Sequence, residues 1–339
     1  MEAGVSMQEY EHNILEQYNI DIRSTRKIRG AVLCDAEQGL FLLKEVTVSP
    51  ERIHALARFY EFLENQTWCG IDKIIPNSEA EYITGEENGS RYILKRWFQG
   101  RECDIKKPVE LLEASGALAK LHLLMRGGDT EIASDAVRID DEYRRHNREL
   151  KKVRNYIRKQ SLKGEFELEF LNSFDEIYLW AETAQEILEK SHYEKLRTES
   201  MNKNSLVHGE YNYHNILMND TGNQGRLLAV TGFDKYKRDI QVEDFYYFLR
   251  KVMEKYGWKE RLGDNMINAY SAMKPLSEEE VEYIKLRLVF PEKFWKIANA
   301  YYHSNKAWIP VKNLEKLNTA IRQTKEKERF LKNIFAFGL

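Results

Sequence analysis

The period of the apolar positions changes once along the chain. Up to about residue 100, apolar residues come in short runs broken by turn residues, the signature of strands. These runs predict strands over 28–34, 40–46, 71–75, 80–83 and 91–97, with turns at 35–39 and 86–90. Two helices interrupt them. One spans 6–18, with Tyr10, Ile14, Leu15 and Tyr18 at helical spacing; the other is opened by Ser49 and Pro50 at its cap and first turn. Beyond residue 100 the spacing becomes 3.6. It predicts helices over 108–126, 140–161, 166–193 and 241–255, further helical core through Phe294 and Tyr302, and one long amphipathic helix over 311–339.

One stretch departs from that helical pattern. Residues 205–242 contain two apolar runs, Asn215-Ile216-Leu217-Met218 and Arg226-Leu227-Leu228-Ala229-Val230, around the polar segment 219–225 with its two glycines. They predict a hairpin whose ends meet. His208, Glu210 and Asn215 then face Gly232 to Asp234, a convergence of polar groups suited to a metal-bound phosphate.

Composition narrows the partners. The 339 residues carry a formal net charge of -2, which makes no electrostatic case for nucleic acid or an anionic membrane. Nineteen Tyr, fifteen Phe and six Trp against six Pro predict a packed chain. The three scattered cysteines (Cys34, Cys69, Cys103) read as reduced thiols, with neither a disulfide framework nor a zinc motif. The first twenty residues lack the apolar core of a signal peptide, and no apolar run approaches the ~18 residues of a membrane span. The expectation is a protein of cytoplasmic synthesis. The basic segment 140–161 is expected to be a helix with solvated charges rather than a binding arm.

The residues His208-Gly209-Glu210 and Asn215 resemble the H-G-D-x-x-x-x-N catalytic loop of aminoglycoside phosphotransferases and related small-molecule kinases. Phe233-Asp234, Asp239 and Glu243-Asp244-Phe245, with Phe248-Leu249-Arg250-Lys251-Val252, are most similar to the CotS-type spore coat branch. Leu42-Leu43-Lys44, Trp97-Phe98-Gln99-Gly100 and Leu118-Ala119-Lys120-Leu121-His122 extend the resemblance over most of the chain. It implies an α+β, two-lobed protein-kinase-like fold: a β-rich N-lobe over 1–99 and a helical C-lobe over 100–339 that carries the hairpin.

The resemblance also implies roles. Lys44 falls on the lysine that contacts the α- and β-phosphates of ATP, with Glu61 as the helix glutamate expected to pair with it. Trp97 and Phe98 belong to the hinge beside adenine, and His208, Asp239 and Asp244 order the catalytic loop. Two positions depart from the pattern. Glu210 stands where the family has its catalytic Asp, and Gly232 where it has the Mg-binding Asp. Phosphoryl transfer depends on positioning and charge neutralisation, so losing that carboxylate predicts a pseudokinase with weak or absent binding of ATP and Mg. The alternative keeps an active ATP-dependent kinase for a small hydroxyl- or amino-bearing metabolite or sugar. In it Glu210 is the base, and Asn215 with Asp234 hold the metal. The resemblance implies mother-cell synthesis, deposition in the spore coat and other coat proteins as partners, without specifying an acceptor.

Overall fold

Arg29 (φ 46°) and Gly30 (φ 78°) both adopt left-handed backbone and turn the chain back on itself in two residues. This turn cuts the strand expected over 28–34. In the computed structural model β1 (Ile22–Ile28) ends before it and β2 (Ala31–Ala36) begins after it. An Arg at positive φ is sterically unusual, and Arg-Gly lacks the Asn-Gly signal of such hairpins, so the pattern of apolar residues ran straight through it. The structure describes residues 9–85, 89–127, 134–219, 226–304 and 311–339, with side chains from residue 12. The side chain of Tyr10, the start of its helix, residues 86–88 of the expected turn, Gly128 and most of the 219–225 loop lie outside the described residues.

The chain forms two compact units, 1–134 with 203–238, and 135–202 with 239–339. In the first, α1 (Glu9–Leu15) precedes β1, β2 and β3 (Gly39–Glu45). Helix α2 (Pro50–Glu64) follows, capped by Ser49, whose hydroxyl accepts from the Arg52 N–H. Then come β4 (Gly70–Ile71), β5 (Ile74–Ile75), β6 (Thr84–Gly85) and β7 (Arg91–Arg96). The antiparallel sheet runs β1-β2-β3-β7-β5, with β6 also on β7. Residues 80–83 carry no strand; the pairing that was expected there begins at Thr84. One face of the sheet packs Val32, Cys34, Phe41, Leu43 and Leu94 against Ile14, Leu15 and Tyr18.

The same unit contains β8 (Arg101–Glu102), α3 (Pro108–Leu124), β9 (Leu206–Val207), β10 (Ile216–Met218), β11 (Leu227–Val230) and β12 (Lys237–Arg238). The hairpin forms as the sequence predicts, with Ile216 opposite Val230 and Leu217 opposite Ala229. Strand β8 adds to one side of it and β4, in parallel, to the other. A short β9–β12 ladder draws its base together. These pairings explain why the compact units cut the chain differently from a boundary at residue 100. Arg101 and Glu102 are knitted to Met218 and Leu217 immediately after the expected hinge.

The second unit is helical: α4 (Ile139–Lys159), α5 (Glu165–Lys190), α6 (Tyr193–Asn202), α7 (Val242–Tyr256), α8 (Glu260–Met273), α9 (Glu278–Val289), α10 (Glu292–Tyr302) and α11 (Val311–Phe335). On α4 the stripe Tyr143, His146, Leu150, Val153 and Ile157 is buried, as amphipathic spacing requires, while its basic residues lie mainly on the outside. Stacked rings join the helices, including Phe170 with Phe294 at 5.1 Å and Phe166 with Tyr301 at 4.7 Å. The last helix stops at Phe335 rather than running to the end. Ala336 (φ 50°) turns the chain, and the Phe337 ring comes to 6.4 Å from that of Trp180. Among the described residues, no helix is long and apolar enough to cross a membrane.

Candidate functional site

The hairpin base and the first sheet enclose a cavity of about 520 Å³ within the first unit. That is within the range of small-ligand sites. Its charged lining balances: Arg26, Arg29, Lys44 and Lys95 against Asp72, Glu102, Glu210 and Asp234.

Two glycines set the loop geometry. Gly209 has φ +83°, and a Cβ there would lie 2.1 Å from the Lys235 carbonyl oxygen, so no side chain fits while the loop holds this path. Beside it, buried His208 has both ring nitrogens committed. Its Nδ1 accepts from the Glu210 N–H at 3.1 Å, so the neutral ring carries its proton on Nε2, which donates to the Thr231 carbonyl at 2.9 Å. Tyr211 donates to the Ala114 carbonyl of α3 at 2.8 Å, anchoring the next residue. These bonds give His208 an ordering geometry.

Glu210 reaches the cavity with its carboxylate 2.6 Å from Lys235 Nζ, and its carbonyl accepts from Asn212 Nδ2 and Asn215 Nδ2. Asn215 also lines the cavity. Gly232, expected at the metal-ligand position, adopts φ 81°, ψ 40°. A Cβ on it would lie 3.0–3.1 Å from the Asn215 carboxamide, so any side chain there would project directly at Asn215. The left-handed backbone itself is one that Asp and Asn visit more readily than other non-glycine residues.

The most concentrated charge lies next to it. Asp234 accepts from Lys44 Nζ on Oδ2 at 2.9 Å and from Lys95 Nζ on Oδ1 at 3.2 Å. Burial alone would raise its pKa, but Lys95 and Lys44 outweigh that and hold the carboxyl well below the usual range. Lys95 is 1% exposed and also donates to Asp72 Oδ2 at 2.8 Å; burial disfavours its charge, but Asp72, Tyr60 and Asp234 keep it protonated. Tyr60 Oη donates to Asp72 Oδ1 at 2.9 Å, and the Gly232 N–H donates to Asp72 Oδ2 at 3.0 Å. A continuous chain of polar groups therefore runs from α2 through Asp72 and Lys95 to Asp234 and Lys44.

Lys44, Glu210, Asn215, Gly232, Asp234 and Trp97 all line this cavity. Glu61 does not fill the role expected of it. It lies on the exposed side of α2 and accepts from Tyr82 Oη at 3.0 Å, while Lys44 pairs with Asp234. The reason is helical phase. Phe59, Tyr60 and Leu63 take the buried face, so the adjacent Tyr60, not Glu61, supplies the polar group of α2. Phe98 packs its ring over Gly70, where a Cβ would come within 2.3 Å of it. Asp239 and Asp244 are buried at the start of the second unit's second segment, where Asp239 Oδ1 accepts from the Ile240 N–H. Asp72, Lys95 and Tyr60 were missed by the sequence reading. For Asp72 and Lys95 the signal is charge inside apolar runs, Ile71-Asp72-Lys73-Ile74 and Ile93-Leu94-Lys95, whereas Tyr60 reads as one more apolar position of its helix.

Comparisons with known proteins agree with this architecture. An aminoglycoside phosphotransferase from Alicyclobacillus acidocaldarius subsp. acidocaldarius DSM 446 superposes with TM-score 0.85, covering 98% of this chain and 97% of that one at 16% identity. A spectinomycin phosphotransferase, solved with ADP and spectinomycin, gives TM-score 0.66 at 11% identity over 96% of this chain and 100% of that one. These likenesses establish the two-lobed, protein-kinase-like fold. In sequence, spore coat protein S of Bacillus subtilis (strain 168) is 27% identical over 174 residues, 49% of this chain and 46% of that protein. The match thus spans about half the length of that relative. The model of the family described as "Spore coat putative kinase YutH" matches residues 11–334. The chain belongs to that family of kinase-like spore coat proteins.

Proposed function

We propose that the protein is a spore coat component that works mainly through its structure and its contacts with other coat proteins, its phosphotransferase cavity being a pseudokinase site. The observation that carries this reading is the state of Asp234. With Gly232 offering no carboxylate, Asp234 two residues on is the side chain the alternative reading gives to the metal, and each of its oxygens already faces a lysine. Mg²⁺ on Asp234 would compete with Lys44 and Lys95 for the same two oxygens and would bring its charge next to Lys95, which is 1% exposed and has no aqueous alternative to this partner. Without a metal bridging the phosphates, the charge that develops during phosphoryl transfer is not neutralised.

A second reading has its own observation. Glu210, Asn215, Asp234 and Lys44 line a single cavity of nucleotide-compatible size, the set an active kinase for a small hydroxyl- or amino-bearing acceptor requires. The family affiliation supports coat deposition and coat partners under either reading.

ATP consumption by the purified full-length protein, with Mg²⁺ or Mn²⁺ and a panel of aminoglycosides, amino alcohols and sugars, tests the proposal. The expected result is no turnover above background with any acceptor. Turnover in the ~1–100 per second range ordinary for kinases, abolished by Glu210→Gln, would overturn it in favour of the second reading.

A further inference from the structure

We propose a divalent metal site of the zinc class in the helical unit, formed by Glu142 and His146 of α4 and Glu292 of α10. The three residues each present one ligand atom, and these atoms all lie within 4.8 Å of one another. Glu142 and His146 are four residues apart on one helix, so successive turns carry them on the same face. Glu292 is the first residue of α10, directly after Pro291.

Two unsatisfied atoms point to a ligand. His146 is 1% exposed and Glu292 7% exposed, yet among the described residues His146 Nδ1 and Glu292 Oε2 have no hydrogen-bond partner. Each such atom costs ~1–3 kcal/mol if left bare, and the two come from different helices to one small cluster. One imidazole with two carboxylates is a donor set for Zn²⁺.

Buried Arg250, whose Nε also lacks a partner among the described residues, and Arg287 offset the charge of Glu292, so a bound ion has to share this carboxylate with them. Arg287 donates to Glu243 with Nε at 2.9 Å and Nη2 at 2.8 Å, and lies only at the 3.5 Å limit from Glu142. Glu142 is therefore lightly held. Lys296 takes Glu292 Oε1 at 2.9 Å from the exposed side and leaves Oε2 for the ion. His146 stacks on Trp295 at 3.4 Å between centroids, which fixes the plane of the ring. Arg145 Nη2 lies 3.4 Å from His146 Nε2. Ligation through Nδ1 puts the proton on Nε2, so the exposed Arg145 swings away when the ion binds. Glu142, partly exposed, gives the ion its path from solvent and leaves room for a water as fourth ligand.

The test is calorimetric titration of ZnCl₂ into the full-length protein after chelator treatment, alongside Glu292→Gln and His146→Gln. The native chain is expected to bind one equivalent, with affinity falling more than ~10-fold in each variant and the Zn²⁺-dependent rise in Tm disappearing with it. Because either variant could misfold, Co²⁺ is added to the native chain as a second measurement. Strong visible absorption of low-coordinate Co²⁺ is expected. No zinc binding by the native chain, affinity undiminished from native in both folded variants, or only the weak spectrum of hydrated Co²⁺ would overturn the site and leave a buried water as the partner of the two atoms.

Discussion

Lys95 shows how a single residue can organise this cavity. Its ammonium lies between Asp72 and Asp234 and is almost wholly removed from water, whereas Lys44, on the same Asp234, is 40% exposed. The two lysines should therefore differ sharply in their effect on stability. Lys95→Met strands a buried carboxylate and is expected to cost ~3–5 kcal/mol in denaturant unfolding. Lys44→Met is expected to cost at most about 1 kcal/mol, as exposed pairs do. Equal costs for the two would show that the buried network does not support the site. Lys44 was legible because it ends an apolar strand in a recognisable pattern. Lys95 was not, because which face a strand residue takes depends on a register that one sequence does not state. Glu61 failed for a related reason: one step around a helix exchanges a buried position for a solvated one, and Tyr60 holds the buried one.

At the scale of elements, long periodic segments were the most legible. The helices over 108–126, 140–161 and 241–255 form within two residues of their expected ends, and the central hairpin pairs as its apolar runs dictate. Elements that turn on local backbone chemistry were not. The Arg29-Gly30 turn and the helix Tyr193–Asn202 carry no strong signal; the expected helix over 166–193 ends at Lys190 with Ser191 as its cap, and a new helix starts at Tyr193. Caps are a quantitative check on this level. Ser277 accepts from the Glu280 N–H at 3.2 Å while Glu280 Oε2 accepts from the Ser277 N–H at 3.1 Å, a reciprocal pair that starts α9. Ser277→Ala is expected to lower the stability of the folded protein by ~1 kcal/mol. Thermal unfolding of the two proteins measures it, and no change in Tm would mean the cap does not contribute.

For the molecule as a whole, family resemblance and residue chemistry answer different questions. The family match over residues 11–334 accounts for the fold and for kinship with spore coat proteins. Whether the cavity works is decided by a few side chains, and here Gly232 and the doubly paired Asp234 speak against a bound metal. The acceptor was never legible, because no motif in the helical segments encodes one. The contiguous division at residue 100 likewise came from reading a hinge in sequence, whereas compactness follows strand pairing and draws each unit from two separated stretches.

The proposed pseudokinase reading rests on Gly232, which stands where the family resemblance expects a metal-binding carboxylate. The most direct test is calorimetric titration of the purified protein with ATP and a non-hydrolysable analogue, with and without Mg²⁺, repeated on Gly232→Asp. Asp at 232 is strained by φ +81° and needs Asn215 to give by a few tenths of an ångström, but Asp visits this conformation more readily than most residues, so the variant is expected to fold at some cost in stability. The account predicts no binding, or weak binding indifferent to Mg²⁺, in the native protein, and Mg²⁺-dependent binding only in Gly232→Asp. Tight Mg²⁺-dependent binding by the native protein would contradict it and make Asp234 the metal ligand of a functioning phosphotransferase.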